Sequence, residues 1–247
     1  MTRIAMMQML VQSNQPNRNL LHMRELLAQV QGRADVAVFP ECCDVGWTAG
    51  TVERYAESIP GGRRFQPIRR LAIESGVDLV VGLTERDGGH CFNTAVYVDR
   101  MGRLLGKHRK INLVSDVETM YRPGMSITVF DTRFGRVGID VCADNHGEAT
   151  VIAEAMRLMG AGLVLSPCSW AVPVGRLGES YGEEWLTPFR RLYERLGLPI
   201  IAVSNVGPVE DGAWAGWQCI GNSIASAATV TVLPYGVDAE TVRIVEV

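Results

Sequence analysis

The spacing of apolar residues along the chain predicts four helices. Apolar side chains recur every three or four positions at Leu20, Met23, Leu27 and Val30, so one face of this segment is suited to burial. Patterns of this kind predict helices over residues 16–30, 64–75, 148–160 and 183–196. The predicted apolar face of the third helix consists of Val151, Ile152, Ala155, Met156 and Met159.

Short apolar runs between turn residues predict the strands. They cover residues 3–10, 35–39, 77–83, 92–98, 102–107, 126–131, 136–141, 162–166, 199–204, 218–224, 229–233 and 242–247. Runs such as residues 36–39 and 163–165 are apolar on both faces, which is typical of strands that are covered on both sides. Helices alternate with strands early in the chain and hairpins follow, so we expect mixed sheets layered with helices. Two packed sheets covered by outer helices would satisfy this pattern.

Composition narrows the class of protein. The chain has 247 residues, of which 47% are apolar and 21% charged, as in ordinary globular proteins. The net charge of −3 offers no basic excess for a nucleic-acid surface. No apolar run approaches the roughly 20 residues of a membrane span, and residues 1–7 lack the layout of a signal peptide. We therefore expect a cytoplasmic protein without nucleic-acid or membrane partners.

The cysteines are scattered along the chain rather than paired. None of the six stands in a C-x-x-C motif, so the spacing does not predict a zinc site. We expect free thiols, as is usual in the cytosol. The six positions are Cys42, Cys43, Cys91, Cys142, Cys168 and Cys219.

Three polar residues follow predicted strands, where sites gather in layered α/β proteins. Cys142 follows the strand over residues 136–141 and precedes a predicted helix, whose N-terminus would favour the reactive thiolate. Glu41 and Lys110 also follow strands. A carboxylate, an ammonium and a thiol at one rim suit a hydrolase with a general base, an oxyanion partner and a nucleophile. Taken singly, the cysteine could instead be a buried core residue and the two charged residues solvated.

Three segments resemble the signatures of the nitrilase, or carbon–nitrogen hydrolase, superfamily, and they stand in the family's order. They read Val-Phe-Pro-Glu at residues 38–41, Lys-His-Arg-Lys-Ile-Asn-Leu at 107–113 and Gly-Ile-Asp-Val-Cys-Ala-Asp at 138–144. Further similarity lies in Tyr-Arg-Pro-Gly at 121–124, Ser-Pro-Cys-Ser-Trp at 166–170 and Gly-Asn-Ser-Ile at 221–224. The resemblance therefore extends across nearly the whole chain.

The resemblance implies a function and roles for individual residues. Cys142 would be the nucleophile, Glu41 the general base and Lys110 the oxyanion-stabilising cation. Glu118 matches a second glutamate that positions substrate or supports the lysine. The implied reaction is hydrolysis of a small amide or N-carbamoyl compound through a thioester.

The resemblance also implies an architecture. The fold would be a four-layer α-β-β-α sandwich forming one domain over residues 1–247, with two mixed sheets covered by helices. The expected assembly is a homodimer or a higher homo-oligomer. No metal or organic cofactor is implied, and a small-molecule amide is the expected partner.

The chain departs from the family after Cys142. The family often has an aromatic-Asp-x-Arg-Phe-Pro-Glu run, whereas residues 143–148 read Ala-Asp-Asn-His-Gly-Glu. We expect Asn145, His146 and Trp170 to contact substrate or support the site. His146 also admits a Cys–His dyad. Residues 170–185 are expected to shape the pocket mouth, where Arg176 meets either an acidic substrate or solvent.

Two alternative functions stay open. Nitrile hydrolysis is one, although members with that activity usually carry a longer C-terminal extension than this chain shows. The other is a catalytically silent member that serves as a binding or scaffold protein, since fold does not fix function. The altered segment after Cys142 motivates this second alternative.

Overall fold

The computed structural model describes residues 1–146, 150–179 and 182–247. The α-helices of these residues, α1 to α5 in chain order, are Pro16–Ala28, Val52–Tyr55, Phe65–Ser75, Thr150–Leu158 and Glu183–Leu196. Short 3₁₀ turns occupy Cys142–Asn145 and Val174–Arg176. Within the described ranges, no helix is both long enough and apolar enough to cross a membrane.

The strands form two large sheets and one small one. The strands β1 to β15 are Arg3–Gln8, Val36–Val38, Asp78–Asp87, His90–Val98, Leu104–Arg109, Thr128–Thr132, Gly135–Ile139, Leu163–Cys168, Ala171–Val172, Ile200–Ser204, Val206–Pro208, Gln218–Ile220, Ile224–Ser226, Thr231–Val232 and Thr241–Glu246. The first sheet has the order β15-β1-β2-β3-β4-β5 and the second β14-β13-β10-β8-β7-β6, while β11-β12-β9 form the small sheet. Both large sheets mix parallel and antiparallel pairs, as β1 shows with β2 and β15.

The alternation of side chains between the two faces of each strand explains why the sheets and helices form layers. On β1, Ile4 and Met6 face the core shared with the second sheet, whereas Ala5 and Met7 pack with α1 and α3. Successive side chains of a strand point to opposite faces, so an all-apolar strand must be covered on both sides. Helices α4 and α5 cover the outer face of the second sheet. The predicted four-layer α-β-β-α sandwich is therefore confirmed.

Several local predictions were incomplete. Strand β4 pairs not only with β5, as predicted, but also with β3, which makes a three-stranded meander. Strand β8 continues through Pro167 to Cys168 rather than ending before the proline. The short elements α2, β9 and β11 were not predicted. Segments of two to four residues are too short to carry a periodic pattern.

The prediction around α4 was partly wrong. The predicted start of this helix at Glu148 lies outside the described residues. Between strand β7 and helix α4, the structure has a 3₁₀ turn that begins at Cys142. The side chains of Val151 and Met159 are exposed, whereas Ile152 and Met156 are buried. Only part of the predicted apolar face therefore packs against the sheet. A helix on the outside of a sandwich buries only the side chains of one stripe along its surface.

Asp144 connects the ends of the two large sheets. Its Oδ1 accepts hydrogen bonds from the backbone nitrogens of Ile111 and Asn112, at 3.0 and 2.8 Å, just beyond β5 of the first sheet. Its Oδ2 accepts from the backbone nitrogen of Val141, beyond β7 of the second sheet, at 3.1 Å. The Nε2 of His108 lies 3.0 Å from the same oxygen, and both side chains are fully buried. One carboxylate thus fixes the segment after Lys110 relative to the turn of Cys142.

We predict that Asp144→Asn lowers the free energy of unfolding by about 3 kcal/mol, because an amide nitrogen would face two buried donors that lose their acceptor. Urea denaturation measures this difference. The matched control is Asp116→Asn, an exposed aspartate whose replacement is expected to change stability by less than about 0.5 kcal/mol. Equal unfolding free energies for the two variants would contradict the bridging role of Asp144.

Candidate active site

Glu41 is held at the end of β2 by a close backbone approach. Gly82 lies beside it, and a Cβ at Gly82 would stand 2.5 Å from the Cα of Glu41, so only glycine fits there. The backbone nitrogen of Glu41 donates to the carbonyl oxygen of Cys168 at 3.1 Å. Its Oε1 accepts from Lys110 Nζ at 2.7 Å and from Asn93 Nδ2 at 2.6 Å. Its Oε2 is buried and has no hydrogen-bond partner among the residues that the structure describes.

Lys110 lies directly after β5 between two carboxylates. Its backbone nitrogen donates to the carbonyl of Asn93 at 2.8 Å, which ties it to β4. Its Nζ lies 2.7 Å from Glu41 Oε1 and 2.8 Å from Glu118 Oε2, and all three side chains are fully buried. Burial opposes the charge of Lys110, but Glu41, Glu118 and Cys142 outweigh it and raise its pKa well above the usual value. Lys110 therefore stays cationic.

The two carboxylates differ in how completely they are bound. Glu118 Oε1 accepts from Trp47 Nε1 at 2.8 Å and from Asn93 Nδ2 at 3.0 Å. Its Oε2 accepts from the backbone nitrogen of Val114 at 2.7 Å as well as contacting Lys110. Both oxygens of Glu118 are thus used. In Glu41, burial and the charge of Glu118 raise the pKa to about 7 against the opposing effect of Lys110.

Cys142 begins a tight turn after the second sheet. Its φ of 48° lies in the left-handed region, which L-residues other than glycine rarely adopt. Its backbone nitrogen donates to Ser166 Oγ at 3.3 Å, and its Sγ lies 3.8 Å from the carbonyl oxygen of Ser169. The carbonyl of Cys168 accepts from the backbone nitrogen of Glu41, so the adjacent carbonyls of Cys168 and Ser169 contact the Glu41 backbone and the Cys142 thiol.

Asn145 lies behind the Cys142 turn. Its Nδ2 donates to Asp140 Oδ1 at 2.8 Å and contacts Ser166 Oγ at 3.2 Å, and its side chain is fully buried. Ser166 is the residue that binds the backbone nitrogen of Cys142. Of the two roles expected for Asn145, these contacts fit support of the turn rather than contact with substrate.

His146 and Trp170 belong to an aromatic stack beside the cysteine. The ring centroid of His146 lies 5.0 Å from that of Trp185 and 6.1 Å from that of Trp170, with the planes nearly parallel. Burial and the charge of Lys110 lower the pKa of His146 to about 4, so the ring is neutral near pH 7. Its buried Nε2 has no hydrogen-bond partner within the described part of the chain. The described contacts of His146 are aromatic, and none of them joins its ring to the thiol of Cys142 as a dyad would.

Sequence reasoning missed residues that complete this cluster. Asn93 bridges the two carboxylates, Trp47 binds Glu118, and Ser166 binds the turn of Cys142. The available signal was weak: asparagine is depleted in strands, so Asn93 inside β4 could have been suspected. Among the residues that the structure describes, no group of three or more His, Cys, Asp or Glu side chains could hold a metal ion.

The chain is similar in sequence to several known proteins. The chain is 29% identical to a protein named nitrilase from Pyrococcus abyssi, over 97% of this chain and 87% of the relative. It is 35% identical to omega-amidase NIT2 of Danio rerio over 64% of this chain and 60% of that protein, so this match covers less than two thirds of the relative. It is 33% identical to omega-amidase NIT2 of Xenopus tropicalis, over 70% of this chain and 65% of that protein.

A solved structure shares the fold. It is a mutant of the amidase from Nesterenkonia sp. AN1, with acrylamide added at the active-site cysteine. It superposes with a TM-score of 0.83 at 20% identity, over 100% of this chain and 93% of that one. The family model for carbon–nitrogen hydrolases matches residues 3–247. With this match and the fold in agreement, the chain belongs to the carbon–nitrogen hydrolase family.

Proposed function

We propose that the protein hydrolyses the C–N bond of a small amide or N-carbamoyl compound through a thioester on Cys142. Family membership supports carbon–nitrogen hydrolysis, and amidases and omega-amidases are among the similar proteins. In this proposal Glu41 is the general base, Lys110 stabilises the oxyanion and Glu118 holds Lys110 in place. Lys110 lies within hydrogen-bonding distance of both carboxylates, and the adjacent carbonyls of Cys168 and Ser169 contact the Glu41 backbone and the Cys142 thiol.

Acylation begins when Glu41 accepts the thiol proton of Cys142. The thiolate attacks the amide carbon, and the negative charge that develops on the amide oxygen is stabilised by the ammonium of Lys110. Glu41 then gives its proton to the nitrogen of the leaving group. The C–N bond breaks, ammonia or an amine departs, and an acyl thioester stays on Cys142.

Deacylation reuses the same groups. Glu41 accepts a proton from a water molecule, which attacks the thioester carbon while Lys110 again stabilises the oxyanion. The C–S bond breaks, the carboxylic acid forms, and the proton held by Glu41 returns to the sulfur. Over both halves, one amide and one water become one acid and one amine, and the enzyme is restored.

The unequal use of the two oxygens of Glu41 is the observation on which this proposal rests. Oε1 is bound by Lys110 and Asn93, whereas Oε2 is buried and finds no partner in residues 1–146, 150–179 and 182–247. Buried polar atoms are nearly always hydrogen-bonded, so an orphan carboxylate oxygen is a candidate proton acceptor. Glu118, whose oxygens are both bound, is suited to support rather than to proton transfer.

Nitrile hydrolysis is a second candidate, because the Pyrococcus abyssi relative that matches 97% of this chain is named a nitrilase. A thiolate attacks a nitrile carbon as well as an amide carbon. Ammonia release from butyronitrile and butyramide, measured at equal concentrations, separates the two candidates. Faster turnover of the nitrile would reverse the ranking.

We predict that Cys142→Ala lowers kcat by at least about 10⁴-fold, as loss of a nucleophile does, without unfolding the protein. The sulfur makes weak contacts, with the carbonyl oxygen of Ser169 and the thiol of Cys168, so its loss affects packing little. Amide turnover and thermal unfolding measure the two effects. Cys91→Ala, which removes another buried thiol, is the matched control and is expected to keep its activity. Full activity in the Cys142 variant would contradict the proposal.

Alkylation by iodoacetamide near neutral pH tests the catalytically silent alternative. Cys142 is 7% exposed, more than the other five cysteines, and lies beside the ammonium of Lys110. We predict that peptide mass spectrometry finds Cys142 labelled first. Labelling of the other thiols with Cys142 unmodified would favour a silent binding protein.

The pH dependence of kcat/KM is expected to follow Glu41. Its pKa is raised by burial to about 7, so below that pH it is protonated and cannot accept a proton. We predict that kcat/KM falls about tenfold per pH unit below the pKa. Because the charge of Glu118 raises the pKa of Glu41, Glu118→Gln is expected to move this acidic limb to lower pH. A flat profile from pH 5 to 8 would exclude Glu41 as the base.

A further inference from the structure

The catalytic cluster contains more negative than positive charge. Among the described residues, Lys110 is the one cationic side chain that makes a hydrogen bond or ion pair with Glu41, Glu118 or Cys142. Its ammonium already contacts both carboxylates, at 2.7 and 2.8 Å. A further negative group entering this region would meet two carboxylates and a cation whose charge is already matched.

The aromatic stack beside the cysteine supplies no positive charge. His146 stands four residues after Cys142, and its neutral ring lies against Trp185 and near Trp170. Trp170 directly follows Ser169, whose carbonyl contacts Cys142 Sγ. Trp185 is fully buried and its Nε1 donates to the carbonyl of Asn222, so the partly exposed rings on this side are those of His146 and Trp170, and both are uncharged.

A small cavity on another side of the cluster is also uncharged. Its wall meets the cluster at Trp47, which binds Glu118, and at Ser169, which contacts the thiol. Its volume is about 10 Å³, room for roughly one water molecule. The polar side chains of the wall are neutral: Ser13, Thr48, Ser169, Asn205 and Cys219. A larger cavity of about 400 Å³ between α1 and α3 has none of the three proposed catalytic residues in its wall.

We propose that the site selects amides with a small, uncharged acyl chain and rejects those whose acyl chain ends in a carboxylate. This inference rests on the proposed amidase function and adds a substrate class to it. An anionic chain would lose its hydration beside a cation that is already paired with two carboxylates, whereas an apolar chain is suited to the partly exposed ring of Trp170. The chain is thereby distinguished from an enzyme for ω-amides of dicarboxylic acids.

Three amides of similar size test the charge preference. They are butyramide, which is neutral, succinamate, which carries a terminal carboxylate, and β-alaninamide, which carries a terminal ammonium. Ammonia release gives kcat/KM for each with the wild-type protein. We expect butyramide to exceed succinamate on the order of 100-fold, and to exceed β-alaninamide as well.

A variant pair locates the preference at the aromatic stack. His146→Arg places a guanidinium beside Trp170 and Trp185, and guanidinium groups stack well on indole rings. We expect it to lower the ratio of butyramide to succinamate kcat/KM by about tenfold. His146→Gln keeps the position neutral and is the matched control, with a ratio expected within about twofold of wild type.

The outcomes separate this inference from the proposed function. Hydrolysis of succinamate or β-alaninamide at least as fast as butyramide would overturn the charge preference and leave the amidase function standing. Should succinamate win, Arg176→Gln would show whether that arginine, which pairs with Glu179 at 2.9 Å, supplies the cation. Hydrolysis of none of the three amides, with Cys142 never acylated, would contradict the amidase function itself.

Discussion

The ammonium of Lys110, placed between the carboxylates of Glu41 and Glu118, is the interaction on which the rest of the site depends. An unpaired ion at this depth would be costly, so each of the three groups needs the others. The two carboxylates also differ in how many of their oxygens accept hydrogen bonds. Both oxygens of Glu118 accept hydrogen bonds, while Oε2 of Glu41 is buried without a hydrogen-bond partner among the described residues. The ion cluster is therefore suited to proton transfer, because the pKa of the Glu41 carboxyl lies near neutral pH.

The sandwich brings these groups together from separate parts of the chain. Glu41 and Lys110 follow strands of the first sheet, and Cys142 follows a strand of the second. Backbone carbonyls of Cys168 and Ser169 contact Glu41 and Cys142, and Asp144 joins the segments after β5 and β7. The relative positions of base, cation and thiol therefore depend on how the two sheets pack, and not on any single loop.

Local signals in the sequence predicted sheets layered with helices and the three main candidates, whereas the four-layer sandwich and the role of each candidate came from the family resemblance. Strand ends can be read from apolar runs, and Glu41, Lys110 and Cys142 each follow one. The contacts of Asn93 with the two carboxylates and of Asp144 with Ile111 could not be predicted, because they join residues 25 to 52 positions apart. The exposure of Val151 depends on which stripe of α4 meets the sheet, which periodicity alone does not fix. The neutral state of His146 likewise depends on its burial and on nearby Lys110.

Partition of the proposed thioester between water and hydroxylamine tests the central claim most directly. Butyramide and N-methylbutyramide have different leaving groups but would form the same butyryl thioester on Cys142. We predict that both give the same ratio of butyrohydroxamate to butyrate at a fixed hydroxylamine concentration, since both products arise from one intermediate. Ratios that differ between the two amides would show that no common acyl-enzyme forms, and would contradict nucleophilic catalysis by Cys142.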